Sequence, residues 1–335
     1  MTSKKRVGIV LFQLGGPDSL DSVEPFLTNL FLDPDILPLG PAGFLRGFIA
    51  RRIARGRAGL VAQKYAEIGG RSPIRALTER QRDRLAEALA AQMDPVVVIA
   101  MRYWHPLTGE AVETLRRGGP LDEIVLLPLY PQYSLATTLS SVKEWRRLYK
   151  RDGTGTVIKT VESYHDHPLY VRAVTEKIAS VLRQFPDSSR VELVFSAHGL
   201  PMSVVNKGDP YPKQIEETVR LVCNEGRATV SGWPKSHRLC YQSRLGKQKW
   251  LEPSLHETLE RVGRAGSKEV LVVPISFVTE HIETLHEINI EAREEAAGHG
   301  IETFRMMPAV GDSPLFISAL ADLVLRCAGT GAARA

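Results

Sequence analysis

Short β-branched apolar runs alternate along this chain with longer stretches whose apolar residues recur every three to four positions. The runs Arg6–Phe12, Val96–Arg102, Ile124–Leu129, Val157–Val161, Val191–Ala197, Glu269–Ile275 and Ile301–Met306 read as strands. Helical patterns fall between most of them: Leu77–Met93, Glu110–Arg117, Ala136–Tyr149, Leu169–Leu182, Lys213–Cys223, Ser254–Val262, His281–Ala297 and Pro314–Leu325. Such alternation predicts an α/β protein with parallel sheets flanked by helices. Continuously apolar strands, Val96–Met101 among them, fit sheets covered on both faces. The polar, glycine-bearing residues 151–155 are the expected joint. They divide the chain into an N-terminal half (1–155), a C-terminal half (156–310), and a helix and tail (311–335) expected to pack back on the N-terminal half, its end frayed.

Composition narrows the class without naming a function. The 335 residues are 43% apolar and 24% charged, ordinary for a globular protein. The net charge of +5 suits anionic lipid or an acidic small molecule as well as nucleic acid. The basic residues, however, gather in one amphipathic segment, residues 36–55, interleaved with large apolar side chains and carrying no recognition motif, which argues against nucleic acid. That segment has two readings, a helix lying in a lipid interface or an ordinary lid with solvated arginines. Three scattered cysteines without C-x-x-C spacing argue against a disulfide framework and for a reducing compartment. They also cannot build a four-cysteine iron–sulfur cluster. The apolar run Val7–Leu14 ends at Gly15-Gly16-Pro17 and reads as a first strand and turn instead of a signal peptide. No stretch approaches the roughly 20 apolar residues needed to span a bilayer. The expected location is the cytoplasm, or the inner face of a membrane as a peripheral protein.

Ligands of open α/β sheets bind at the carboxyl ends of strands, and the chemistry here concentrates there. In Ser196-Ala197-His198-Gly199-Leu200-Pro201 a strand ends on a histidine whose imidazole could bind a metal or accept a proton, or else be a loop histidine hydrogen-bonded in place. After another strand, a helix opens with His281 and Glu283, and Glu287 follows four residues on, with Glu291 one turn further. A regular helix stacks these carboxylates on one face, where they repel unless a cation or proton lies between them. A solvated acidic face is the plainer reading; the nearby histidines weigh against it, because a borderline metal such as Fe²⁺ takes imidazole and carboxylate together. No H-E-x-x-H or cysteine cluster supplies a resident zinc site, so one histidine and one carboxylate suit a metal that is substrate. Aromatics follow two further strands, in Arg102-Tyr103-Trp104 and Tyr130-Pro131-Gln132-Tyr133-Ser134. With Tyr211, Tyr241 and Trp250 they could wall a flat apolar ligand or fill a core.

Together, Gly15-Gly16-Pro17, Tyr65–Pro73, Arg102-Tyr103, Leu127–Ser134, Ser196–Pro201, Gly208–Pro212, Tyr241–Arg244 and His281–Thr284 resemble the segments of ferrochelatases, in order and over Val7 to Pro308. The resemblance implies two Rossmann-like halves of the chelatase type, with a porphyrin held between them. It implies Fe²⁺ insertion into protoporphyrin IX, the last step of haem biosynthesis, with iron as substrate and no permanently bound cofactor. His198 and Glu283 would contact the metal and face each other across the macrocycle, His198 accepting pyrrole protons. Glu287 would continue a relay, and His281 would orient Glu283. Leu14, Arg102, Tyr103, Ser134, Tyr211 and Trp250 match positions expected to bind the porphyrin. The chain departs from the cluster-bearing members, which carry a cysteine-rich extension, since only Cys327 lies near its end and Leu135 stands where animal enzymes have cysteine. Glu280 replaces a common aspartate. Leu14 resembles the protoporphyrin-using type; the coproporphyrin-using type tends to carry a tyrosine nearby. A coproporphyrin- or cobalt-using chelatase and a non-catalytic porphyrin carrier remain the alternatives, and the choice among Fe²⁺, Co²⁺ and Zn²⁺ stays open because they accept the same donors.

Overall fold

The structure is a computed structural model that describes residues 4–34, 36–37, 39–149, 156–244 and 248–329. The joint expected at 151–155, the end of the tail from 330, and positions 35 and 38 beside and within the basic segment lie outside the described residues. Two four-stranded sheets, parallel throughout, carry the fold. The first comprises β1 (Arg6–Gln13), β2 (Asp94–Met101), β3 (Glu123–Pro128) and β4 (Val157–Thr160) in the order β2-β1-β3-β4. The second comprises β5 (Glu192–His198), β6 (His237–Gln242), β7 (Glu269–Pro274) and β8 (Thr303–Met306), and its order β6-β5-β7-β8 repeats that of the first. Every strand pairs in parallel with its neighbours, so each crossover must return through the intervening chain, where most of the helices form.

The chain separates into two compact units, one of the described residues of Met1–Tyr130, Leu135–Ser163 and Leu320–Ala335, the other of Pro131–Ser134 and Tyr164–Ala319. In the first unit, strand alternation sends Val10 and Phe12 to a face completed by Ile124, Leu126 and the fully buried Trp145. Ile9 and Leu11 point the other way and are equally buried, as a sheet covered on both faces requires. Trp145 stacks on Tyr149 at 5.3 Å and meets Phe12 edge-on at 6.3 Å. Its truncation to alanine would cost about 3–5 kcal/mol. In the second unit, Val194 and Val272 pack with Leu259, Phe304 and Ile288. Ile288 and Ala292 belong to the helix that carries Glu283, so this core anchors a site-bearing element from behind.

Three features differ from the sequence reading. Strand β6 was not expected: His237 and Arg238 are exposed on this edge strand, only Cys240–Gln242 are buried, and so short an apolar run gives no alternation to read. The helix expected over His281–Ala297 is a π-helix across Glu283–Ala292 followed by an α-helix at Arg293–Gly298. A π-turn at Leu135–Leu139 likewise precedes the α-helix Ser140–Leu148. The basic segment folds as a 3₁₀ turn, Gly40–Leu45, leading into an α-helix, Arg46–Glu67, that runs well past Arg55. Among the described residues no helix is long and apolar enough to cross a membrane.

Candidate active site

His198 is the last residue of β5, and strand register decides what surrounds it. β6 sets Gln242 opposite His198, so Ser243 is the next residue beyond. β7 pairs Pro274 with Ser196, which brings Ser276 level with His198. The His198 N–H donates to Ser276 Oγ at 3.0 Å, and its carbonyl accepts from the Tyr211 hydroxyl at 2.9 Å. Gly199 then donates its N–H to the Gln242 carbonyl at 2.8 Å. A Cβ at Gly199 would stand 2.8 Å from that same oxygen and 3.4 Å from the Trp250 ring, so glycine is what lets the two segments close together. In the order β6-β5-β7 the direction of winding reverses between β5 and β7, the point where open α/β sheets bind ligands.

The imidazole of His198 meets Glu283 directly, Nδ1 to Oε2 at 2.7 Å. A carboxylate only accepts, so Nδ1 is the protonated nitrogen and Nε2 of the neutral ring keeps its lone pair. The His198 side chain is 39% exposed and that of Glu283 16%, so the pair offers an imidazole edge above a mostly covered anion. Burial works against charge on His198, but the Glu283 carboxylate, through its charge and hydrogen bond and with help from Glu287, holds the imidazole above its ordinary pKa of 6.5. Glu283 moves the other way. Burial would raise it, and the His198 charge and hydrogen bond outweigh burial, aided by His281 and Ser243, so it stays ionised well below the usual carboxylate range.

The π-helix delivers Glu283 at its first residue. His281, buried just before it, accepts the Glu283 backbone N–H on Nδ1 at 3.1 Å, while Thr284 Oγ1 takes the His281 N–H and returns a bond to its carbonyl. His281 therefore fixes the start of this helix through the backbone of Glu283, and the Phe277 ring covers it edge-on at 4.3 Å. Burial, foremost, keeps the His281 imidazole below its ordinary pKa and so neutral, as an acceptor nitrogen requires. The wider π-turn brings positions five apart together, as in His286 and Glu291 at 3.6 Å. Glu287 joins Glu283 through a third group: the Ser243 hydroxyl, 2.6 Å from Glu287 Oε2 and 3.1 Å from Glu283 Oε2.

One expectation is corrected. Two side chains joined at 2.7 Å leave no room for a macrocycle between them, whose π-system alone is wider than that gap. His198 and Glu283 here form one hydrogen-bonded unit. Of the residues expected to bind substrate, Tyr211 and Ser134 gather in the same unit as His198. The buried Ser134 hydroxyl donates to Asp209 Oδ2 at 2.8 Å, and Asp209 Oδ1 accepts the Tyr211 N–H at 2.9 Å. This chain ends on the His198 carbonyl, so it braces the histidine. Burial pushes the Tyr211 hydroxyl far above its ordinary pKa, which keeps it a donor. Trp250 pairs with Pro201 beside Gly199. In the other unit, Arg102 and Tyr103 follow β2, with their N–H groups on the carbonyls of Gln13 and Leu14 at 3.0 and 3.1 Å. Both side chains converge on Asp33, Arg102 through an ion pair and Tyr103 through its hydroxyl at 2.8 Å.

Three residues that complete these arrangements were not singled out from the sequence: Ser243, Asp209 and Asp33. The first two lie in segments that carry the family resemblance, Tyr241–Arg244 and Gly208–Pro212, and that context was the available signal. Asp33, in Leu32-Asp33-Pro34, reads as a turn and gives none. Among the described residues no three histidine, cysteine, aspartate or glutamate side chains form a group able to hold a metal ion.

Comparison with known proteins places this geometry. A model of the ferrochelatase family matches residues 6–328. The chain belongs to the ferrochelatase family. The family member from Geotalea uraniireducens is 49% identical over 320 residues, covering 96% of this chain and 97% of the relative. Ferrochelatase-1, chloroplastic/mitochondrial, of Arabidopsis thaliana is 43% identical over 330 residues, covering 97% of this chain and 70% of its own length. Among solved structures, SirB from Bacillus subtilis with Fe³⁺ has a TM-score of 0.56 at 14% identity over 97% of both chains, a likeness of fold alone. The two repeated sheets are thus the chelatase fold.

Proposed function

We propose that this ferrochelatase-family enzyme inserts Fe²⁺ into protoporphyrin IX, joining iron to the four ring nitrogens as two pyrrole N–H bonds break and two protons are released. The observation that carries this reading is the His198–Glu283 pair at the winding reversal of a chelatase sheet, 2.7 Å apart, with the His198 side chain partly exposed. His198 Nε2 takes a pyrrole proton, and the Glu283 anion offsets the imidazolium that forms. Once that proton has left, Nε2, across the ring from the Nδ1 contact, and the Glu283 carboxylate are separate donors open to ferrous iron, the substrate. Glu287, tied to Glu283 through Ser243, is the next acceptor outward. Arg102 suits a propionate carboxylate, and Leu14, Tyr103, Ser134, Tyr211 and Trp250 shape or brace the porphyrin site. The leucine at position 14 favours protoporphyrin over coproporphyrin.

No iron–sulfur cluster belongs to this reading. Cys223 and Cys240 are buried, and burial raises their thiols to about 11 and about 12, the opposite of what cluster ligation needs. The protein works in the cytoplasm with a peripheral hold on anionic lipid through residues 36–55. Phe44 is 85% exposed, Phe48 and Leu60 also face outward, and Arg51, Arg52 and Arg55 lie exposed on the same helix. Equal flotation with anionic liposomes of the wild type and a variant with those three arginines changed to glutamate would refute the lipid contact.

The deciding experiment is anaerobic incubation of the purified protein with Fe²⁺ and protoporphyrin IX, following conversion to the haem spectrum. Turnover is expected in the wild type and lost in both His198→Ala and Glu283→Ala, with porphyrin binding retained. Tight porphyrin binding without turnover, for iron, cobalt or zinc, would establish a carrier instead.

A further inference from the structure

Ser243 follows β6 with a φ of 61°, and among the described residues it is the one non-glycine residue in left-handed backbone. A side chain is disfavoured there and glycine is at ease, so the serine stands against its backbone preference. Its hydroxyl reaches two carboxylates at once, Glu287 Oε2 at 2.6 Å and Glu283 Oε2 at 3.1 Å. The Glu283 oxygen it touches is the one that accepts from His198 Nδ1. The end of β6, the end of β5 and the π-helix therefore meet at a single oxygen atom. A plain turn would need no hydroxyl at this place.

We infer that Ser243 is a positioning residue for metal insertion, its hydroxyl holding Glu283 with Oε2 toward His198, so that Oε1, which takes part in neither contact, is presented to the metal. The same hydroxyl ties Glu287 to the assembly. Without it, Glu283 Oε2 keeps the His198 contact alone, and the carboxylate loses its second anchor and the bridge to Glu287. This role rests on the proposed chelatase activity.

The test compares wild type, Ser243→Gly and Ser243→Asn in the full-length protein, each with Fe²⁺ and protoporphyrin IX. Glycine relieves the backbone and removes the hydroxyl, so Ser243→Gly should melt at or above the wild-type temperature and keep the wild-type KM for porphyrin. Its kcat/KM for Fe²⁺ should fall roughly ten- to a hundredfold, the range for a lost hydrogen bond to a charged group. Asparagine tolerates left-handed backbone and carries a donor amide, so Ser243→Asn should recover part of that loss. Wild-type turnover in Ser243→Gly, or an equal loss of porphyrin affinity and metal turnover, would overturn the positioning role alone. A wild type with no turnover would overturn the chelatase reading and this role with it.

Discussion

Replacing Gly199 by alanine tests whether the close approach of β5 and β6 sets the geometry of His198. The added Cβ would lie 2.8 Å from the Gln242 carbonyl oxygen, against ordinary contact from 3.4 Å, so the two segments must part by about 0.6 Å. Neither neighbour yields easily. Gln242 is held by its pairing with His198 and by the Ser196 hydroxyl on its side chain at 2.8 Å, and the Trp250 ring lies 3.4 Å from the new methyl group. Overpacking of this kind costs about 1–3 kcal/mol. The displacement also reaches both ends of the catalytic contact, because His198 precedes Gly199 and Ser243 follows Gln242. A misplacement near 1 Å can cost about a hundredfold in rate, so a shift of this size is expected to lower kcat by about tenfold. Thermal unfolding and initial rates of Fe²⁺ insertion, measured on the same preparation, give both numbers. A Gly199→Ala variant with the wild-type melting temperature and kcat would refute the argument that steric closeness here demands glycine.

Four further outcomes follow from the structure. In metal-free protein, an NMR titration should find the His198 midpoint above 6.5 and, in Glu283→Gln, moved to lower pH, because the charge that raises it is gone; an unmoved midpoint would refute the pairing. Stability responds to pH in both directions: the His198 contribution is present below about 6.5 and lost as pH rises through its raised pKa, while that of Glu283 is present above about 4.5 and lost as pH falls through its lowered one. The stability gap between wild type and Glu283→Gln should therefore be widest between those pH values and narrow on either side. Asp33→Ala leaves the Arg102 guanidinium, 15% exposed, without its carboxylate and the Tyr103 hydroxyl without its acceptor, so chemical denaturation should register a loss of about 3–5 kcal/mol, and a loss under about 1 kcal/mol would refute the pairing's importance. In the long basic helix, Gly56 and Gly59 are exposed with open space where a Cβ would go, so alanine at each should stabilise by about 0.5–1 kcal/mol, and a lowered melting temperature would count against it.

Local signals account for what the sequence could tell. Continuously apolar strands, helical periodicities and strand-end residues are written in neighbouring positions, so seven of eight strands and the placing of His198 and Glu283 at strand and helix ends were legible. Edge strand β6 was not, because half of it faces solvent and its partner strand lies elsewhere in the chain. Nor was the π-helix, whose extra residue per turn leaves no mark on a short apolar pattern. The direct contact of His198 with Glu283, 85 residues apart, depends on β5–β7 register and on the anchoring of the π-helix by Ile288. Ser243 acquires its role only because β6 pairs with β5 in the one register that sets it beside both carboxylates. Composition and periodicity determine which face of an element is buried; which distant side chains then share an oxygen atom is decided by strand pairing and core packing, whose partners no local stretch of sequence contains.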